Sequence, residues 1–370
     1  MMKKKLAFIL CCVMALSLFL TACGDDASTP STPASQPVST PGGSTATEYS
    51  VDFKKANNAI DDLKTTACDQ QGTVVSLEYD TPAYAINDLF DVEETLHKTL
   101  NIYLPYGYDE SKQYNVLYLL HGTEGDADGP MEEYWLIQWG EHTRNVLDNM
   151  IKNGLCDPVI VVTPSYYSRV DGYDITSEQL DALAERLGGD SFINPGSAED
   201  GGDPDNEQNV WPVYFGQELR GNIIPAVESQ YSTYAGGDVS DANLIATREH
   251  RAFAGLSRGA MTVARSGLSD NADIFAYVGS YSGVWAEFDA FKAALTGEFA
   301  DYDIKYWYNG NGRGDFALEN HQAFKDKVLS EMGDKFTDGE NFAWVLLRDG
   351  AHMYNSWIVD LYNSLLVFFK

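Results

Sequence analysis

Apolar positions fall into two kinds of run along this chain, and their alternation predicts the fold before any chemistry is considered. Val116-Leu-Tyr-Leu-Leu120 and Val159-Ile-Val-Val162 are short, unbroken and apolar, as expected of central strands buried on both faces. Further strand-like segments are Thr73 to Tyr79, Lys98 to Leu104, Arg251 to Leu256, Phe275 to Gly279, Ile304 to Tyr308 and Phe342 to Leu347. The two central runs belong to Asn115 to Leu120 and Pro158 to Thr163. Between the strands lie segments with helical periodicity: Glu141 to Asn153, Gly216 to Gln230, Arg258 to Leu268, Glu319 to Glu331 and Trp357 to Phe369. In the last of these, Trp357, Ile358, Leu361, Leu365 and Phe368 share one face, which predicts packing against a sheet. Strands alternating with helices predict an α/β protein with a mostly parallel central sheet flanked by helices.

Three stretches break the alternation. Met1 to Leu20 has a Lys-rich start followed by an apolar run shorter than the ~20 residues of a spanning helix, which is a signal-peptide pattern. Leu20-Thr21-Ala22-Cys23 resembles a lipobox, so residues 1–22 are expected to be removed and Cys23 to carry lipid. Residues 23–50, rich in Ser, Thr, Pro and Gly, are expected to form a disordered tether to one domain spanning 51–370. The third stretch, 168–210, contains a helical pattern from Ser177 to Leu187 and an acidic, Gly-rich run from Ser197 to Gln208. We read it as an insertion at the active-site rim.

A formal net charge of -30 excludes a nucleic-acid partner and confines membrane association to the lipid anchor, on the outer face of a bacterial membrane or with secretion. Two of the five cysteines, Cys68 and Cys156, remain after the leader and Cys23; a disulfide between them is permitted outside the cell. With no histidine near either, no metal site is expected. The acidic run Glu199 to Asn206 lacks EF-hand spacing, so calcium is not expected there either.

Chemistry concentrates at Gly255-Leu-Ser257-Arg-Gly259, a G-x-S-x-G pattern between a strand and a helix. A serine hydroxyl is a weak nucleophile near neutral pH and needs a base, itself held in one tautomer by an acid. His352 follows the strand Phe342 to Leu347 and is the candidate base; His321 is its rival, expected on a solvated helix face. Asp315, in the Gly-rich loop after Tyr308, is the candidate acid, with Asp349 and Glu319 as alternatives. His121-Gly122-Thr123 follows a buried strand, so N–H groups of Gly122 or Thr123, with that of Arg258, are candidates for an oxyanion hole. His121 itself is expected to be structural. Trp285, Met353 and Trp357 are candidates for an acyl-pocket wall.

Asn115 to Gly122, Pro158 to Pro164, Asn222 to Tyr234, Gly255 to Gly259, Gly314 to Ala317 and Gly350 to His352 together resemble the esterase D-like carbohydrate esterases, a group that includes feruloyl and acetylxylan esterases. The resemblance runs from about Ala67 to the C-terminus. It implies an α/β-hydrolase fold, no metal or other cofactor, and a triad of Ser257, Asp315 and His352. It also implies an ester-decorated plant polysaccharide or oligosaccharide as substrate, with feruloyl ahead of acetyl. Acyl transfer on the same fold and a silent glycan-binding scaffold are the alternative functions. Two features depart from the family: Arg258 stands where a smaller residue is usual, and Thr123-Glu124 replaces a glycine-rich loop.

Overall fold

The computed structural model describes residues 47–123, 130–187, 210–285 and 287–370. The leader, Cys23, most of the expected tether and the acidic run Ser197 to Gln208 lie outside the described residues.

Eight strands form one sheet: β1 (Thr73–Pro82), β2 (Thr95–Leu104), β3 (Asn115–Leu120), β4 (Val159–Thr163), β5 (Arg251–Leu256), β6 (Tyr277–Tyr281), β7 (Tyr306–Gly312) and β8 (Phe342–Leu347). Their order across the sheet is β1-β2-β4-β3-β5-β6-β7-β8. β2 is antiparallel to both β1 and β4, and the other pairs are parallel. The mostly parallel α/β-hydrolase sheet expected from the sequence is therefore present.

Period-two alternation splits the side chains of each central strand between two cores. On β3, Val116, Tyr118 and Leu120 face one core while Leu117 and Leu119 face the other. The second core is closed by the helix Gly140–Lys152, through Val146, Leu147 and Met150, and by the C-terminal helix Tyr354–Leu365, through Trp357, Ile358, Leu361 and Leu365. The first is closed by the helices Trp211–Glu218, Phe288–Thr296 and Leu318–Glu331. Burial on both faces is why β3 and β4 read as unbroken apolar runs.

Several boundaries differ from expectation: β7 runs over Tyr306–Gly312 and not Ile304 to Tyr308, the C-terminal helix is Tyr354–Leu365 and not Trp357 to Phe369, and two further differences have a direct cause. The compact unit begins at Thr47, before the expected start at 51. Tyr49 is the reason: its ring packs on Phe53, and its hydroxyl sits 2.9 Å from the Trp344 carbonyl oxygen and 2.9 Å from Asp338 Oδ1, anchoring the segment beside β8. The helix expected over Gly216 to Gln230 starts earlier, at Trp211, and is interrupted by a wide turn over Leu219–Ile223 before continuing as Ile224–Glu228. Pro225, lacking an N–H, is accommodated in the first turn of that last piece. Cys68 and Cys156 are both buried free thiols, so the permitted disulfide is not formed.

Because β3 and β5 to β8 run the same way, the loops that follow them emerge at one edge of the sheet. Those loops begin with His121, Ser257, Ser282, Arg313 and Arg348, and Ser257, Asp315 and His352 each lie on one of them, whereas Glu319 and His321 fall within the helix Leu318–Glu331.

Candidate active site

The turn at the end of β5 fixes Ser257. Its backbone has φ 53° and ψ -124°, a left-handed conformation that disfavours a side chain and costs about 1 to 3 kcal/mol. The surroundings hold it there: the Ser257 N–H donates to the Tyr281 carbonyl at 2.8 Å, and the Gly283 backbone packs on the Ser257 carbonyl side. Glycine is required at two flanking positions. A Cβ on Gly259 would lie 2.0 Å from the His121 carbonyl oxygen, and one on Gly255 would lie 2.8 Å from the Gly259 carbonyl carbon.

Above this turn the three distant residues meet. Ser257 Oγ lies 2.9 Å from His352 Nε2, and His352 Nδ1 lies 2.9 Å from Asp315 Oδ1. With Nδ1–H donating to the carboxylate, Nε2 is left as an acceptor for the serine proton. The Ala317 N–H donates to the same Oδ1 at 2.8 Å and fixes the carboxylate within its loop. Burial raises the Asp315 pKa, but hydrogen bonds from His352, from Ser282 and from the Ala317 N–H outweigh it, and the net shift is downward. Oδ2 is enclosed without a well-aligned partner, so the nearby Ser282 hydroxyl is what offsets its burial. Ser282 was not foreseen. It follows β6 with φ 55°, and its Oγ accepts a 2.8 Å hydrogen bond from Trp357 Nε1, which ties the C-terminal helix to the floor of the triad.

Asp349 and Glu319 are both exposed and neither is bonded to His352. His321 is not on a solvated face: it is 1 % exposed and wedged between Asn311 Nδ2 at 3.2 Å and Asn309 Oδ1 at 3.1 Å, beneath the acid's loop. The helix Leu318–Glu331 turns this position inward, against β7. His121 is structural as expected, with Nδ1 donating to the Gly122 carbonyl at 2.6 Å and Nε2 accepting from the Ser165 hydroxyl at 2.9 Å. Burial lowers the pKa of each of these two histidines to about 3.

A pH dependence of stability follows. In the unfolded chain the two histidines bind protons below about pH 6.5, and in the folded chain they resist protonation until about pH 3. The stability that these two neutral histidines contribute is therefore fully present above pH 6.5 and falls as the pH drops through that window, by about 3 kcal/mol per histidine at pH 4.5. Denaturant unfolding at pH 7 and 4.5 should show a smaller acid loss in His321→Asn than in the parent; equal losses would contradict the assignment.

The oxyanion loop is clamped from behind. The Gly122 carbonyl accepts from His121 Nδ1 and from the Tyr166 hydroxyl, so it points into the buried side. In a planar trans peptide the N–H of Thr123 points the opposite way, toward open space. Gly122 itself lies against the elbow, since a Cβ there would sit 3.1 Å from Ser257 Cβ. Arg258 is the first residue of the helix Arg258–Thr262, where the N–H has no intrahelical partner. Of the candidate donors, this geometry favours Thr123 and Arg258 over Gly122.

Ser257 and His352 open onto a cavity of about 510 Å³. Its walls include Tyr134, Trp139, Phe316, Met353, Tyr354 and Trp357. Met353 and Trp357 thus stand where expected. Trp285 does not: the chain beyond Gly283 carries it into the first core, 5 % exposed, away from the cavity. Tyr134, Trp139, Phe316 and Tyr354 were missed. Trp139 stacks on Tyr354 with ring centroids 4.4 Å apart and remains 41 % exposed; Phe316 covers the His352 ring at 4.1 Å and is 81 % exposed. Phe316 adjoins Asp315, and that adjacency was the available signal. A second cavity of about 750 Å³ touches none of the triad, and its Arg186, Arg220 and Arg265 each pair with an aspartate.

The Esterase family model matches residues 96–365. The chain belongs to this esterase family. It is 34 % identical over 165 residues to endo-1,4-beta-xylanase Y of Acetivibrio thermocellus, a match covering 45 % of this chain and only 11 % of that protein. A solved structure named FAE is 26 % identical with a TM-score of 0.63, covering 88 % of this chain and 97 % of its own. A mutant of the feruloyl esterase module from Clostridium thermocellum, complexed with sinapinate, is 25 % identical with a TM-score of 0.61 and the same coverage. The family member described here therefore shares its fold over nearly the full length of two such structures.

Proposed function

We propose that this family member is a serine esterase that releases aromatic acyl groups, of the feruloyl kind, from plant cell-wall saccharides through an acyl-enzyme on Ser257. One observation carries the reading: the Ser257 and His352 pair opens onto a cavity walled by Tyr134, Trp139, Phe316, Tyr354 and Trp357. An acetyl group would leave most of about 510 Å³ to water. A phenyl-propenoyl group would remove on the order of 150 Å² of apolar surface from water, worth about 4 kcal/mol. The similarity to a feruloyl esterase module complexed with sinapinate supports the same choice.

In this reading His352 Nε2 takes the Ser257 proton as Oγ bonds to the ester carbonyl carbon. Thr123 and Arg258 N–H groups hold the resulting oxyanion, where donors aligned in advance stabilise developing charge most. Collapse expels the alcohol, which takes the proton from His352. Water, deprotonated by the same nitrogen, then attacks the acyl carbon; collapse breaks the acyl–Oγ bond, the His352 proton returns to Ser257 Oγ, and the acid is freed. Asp315 holds His352 in the required tautomer throughout. We place the enzyme outside the cell, lipid-anchored at Cys23; the lipobox-like sequence supports this part.

The test is a comparison of kcat/KM for methyl ferulate and for a small acetate ester. The parent should prefer the ferulate. Trp139→Ala should lower ferulate kcat/KM about tenfold or more, as expected for removing an aromatic stacking wall, and acetate kcat/KM by no more than about threefold. A parent that prefers acetate, or a variant that loses both equally, contradicts the aromatic-acyl reading.

A further inference from the structure

The Arg258 side chain is unused by the chemistry described so far. Its Nε donates to Thr123 Oγ1 at 2.9 Å, bridging the elbow to the oxyanion loop. That bond fixes where the guanidinium sits. It uses one of five N–H donors and leaves the two terminal nitrogens, a fork suited to a carboxylate. Among the described residues Arg258 forms no ion pair, in a chain whose formal net charge is -30. Arg186, Arg220, Arg251 and Arg265 each have a carboxylate partner, whereas Arg144, Arg248, Arg313 and Arg348, like Arg258, form no ion pair among the described residues; of these unpaired arginines Arg258 is the one bonded to a residue of the cavity wall.

Its position relative to the cavity gives the free fork a direction. Thr123, Ser257 and His352 are on the cavity wall, but Arg258 is not. An acyl group filling the cavity leaves the alcohol half of the ester outside it, and the Arg258 guanidinium is held on Thr123, a residue of the cavity wall, without itself lining the cavity. A cation there acts locally against the repulsion that an acidic protein exerts on anionic ligands. We propose that Arg258 forms a subsite for an anionic alcohol half of the ester, the carboxylate of an acidic sugar next to the esterified position. The proposal rests on the serine-esterase reading and goes beyond it by specifying the charge of the saccharide. It also gives a role to the residue in which this chain departs from the family it resembles.

A matched pair of acetyl esters tests this independently of the acyl preference: phenyl acetate and 3-acetoxybenzoate, which differ by a carboxylate on the leaving group. Arg258→Gln retains the backbone N–H and removes the charge. It should lower kcat/KM for 3-acetoxybenzoate about tenfold more than it lowers that for phenyl acetate, with Arg258→Lys in between. In the parent enzyme, raising NaCl from 0.05 to about 0.5 M should shrink the 3-acetoxybenzoate value relative to phenyl acetate, because screening weakens an exposed ion pair. That arm needs no variant and so survives a folding failure. Equal losses on both esters, or a parent ratio indifferent to salt, overturn the proposal. Failure of the parent to turn over phenyl acetate would instead sink the esterase reading, and the proposal with it.

Discussion

Ser257→Ala is expected to reduce kcat/KM for an activated ester by about 10⁴-fold or more while leaving the protein folded, because the reaction loses its nucleophile and keeps only the oxyanion donors and the binding cavity. Alanine meets the same left-handed backbone as serine at φ 53°, and the 2.8 Å bond from the residue-257 N–H to the Tyr281 carbonyl is unaffected. The variant should therefore unfold at about the parent temperature. It should also lose labelling by a fluorophosphonate, which reacts with activated serine hydroxyls. Retention of more than a few per cent of the activity in a labelling-negative protein would place the chemistry elsewhere.

Gly259→Ala should damage both stability and rate. Its new Cβ would lie 2.0 Å from the His121 carbonyl oxygen, 3.0 Å from that carbonyl carbon and 3.2 Å from the Leu120 carbonyl oxygen. All three are backbone atoms at the end of a central strand, so none can rotate aside as a side chain would. The helix must withdraw from β3, or His121 must move and carry Gly122 and Thr123 with it. Either response opens the gap between the Arg258 and Thr123 amides. Overpacking of this kind costs about 3 kcal/mol, and displacement of one oxyanion donor costs about 10²-fold in kcat. Thermal unfolding and the same ester assay read the two effects. A variant with parent-like values in both would mean that the elbow is less constrained than its close contacts indicate.

The sheet was legible because its strands are buried on both faces: an unbroken run such as Val159 to Val162 leaves little choice of element. The triad was legible for a related reason. A strand closed by Leu256 and followed by Ser257-Arg-Gly259, and two later strands followed by loops bearing Asp315 and His352, bring three side chains toward one sheet edge. The cavity was less readable. Tyr134 lies on, and Trp139 directly follows, a short stretch of tight and wide helical turns, Met131–Glu133 and Tyr134–Gln138, whose apolar residues follow neither strand nor helix spacing. Trp285 and Trp357 looked equivalent because an aromatic residue next to a catalytic loop serves equally well in a core or in a wall. Only the path of the chain after Gly283 separates them. His321 was misjudged because the two asparagines that satisfy it, Asn309 and Asn311, sit on a glycine-rich strand whose inward face cannot be read from alternation alone. Ser282 carries no motif, and its importance comes from a positive φ and from contacts with residues far away in the chain.

The most direct test of the account is to trap the intermediate. Rapid acid quench of the enzyme during turnover of an activated feruloyl ester, followed by intact and peptide mass spectrometry, should give a species heavier by one acyl group. The added mass should map to Ser257. It should accumulate faster than steady-state turnover and be absent from Ser257→Ala. Hydrolysis that proceeds with no acyl adduct on any peptide, or with an adduct on a different residue, would contradict the central claim that His352 and Asp315 activate this serine for covalent attack.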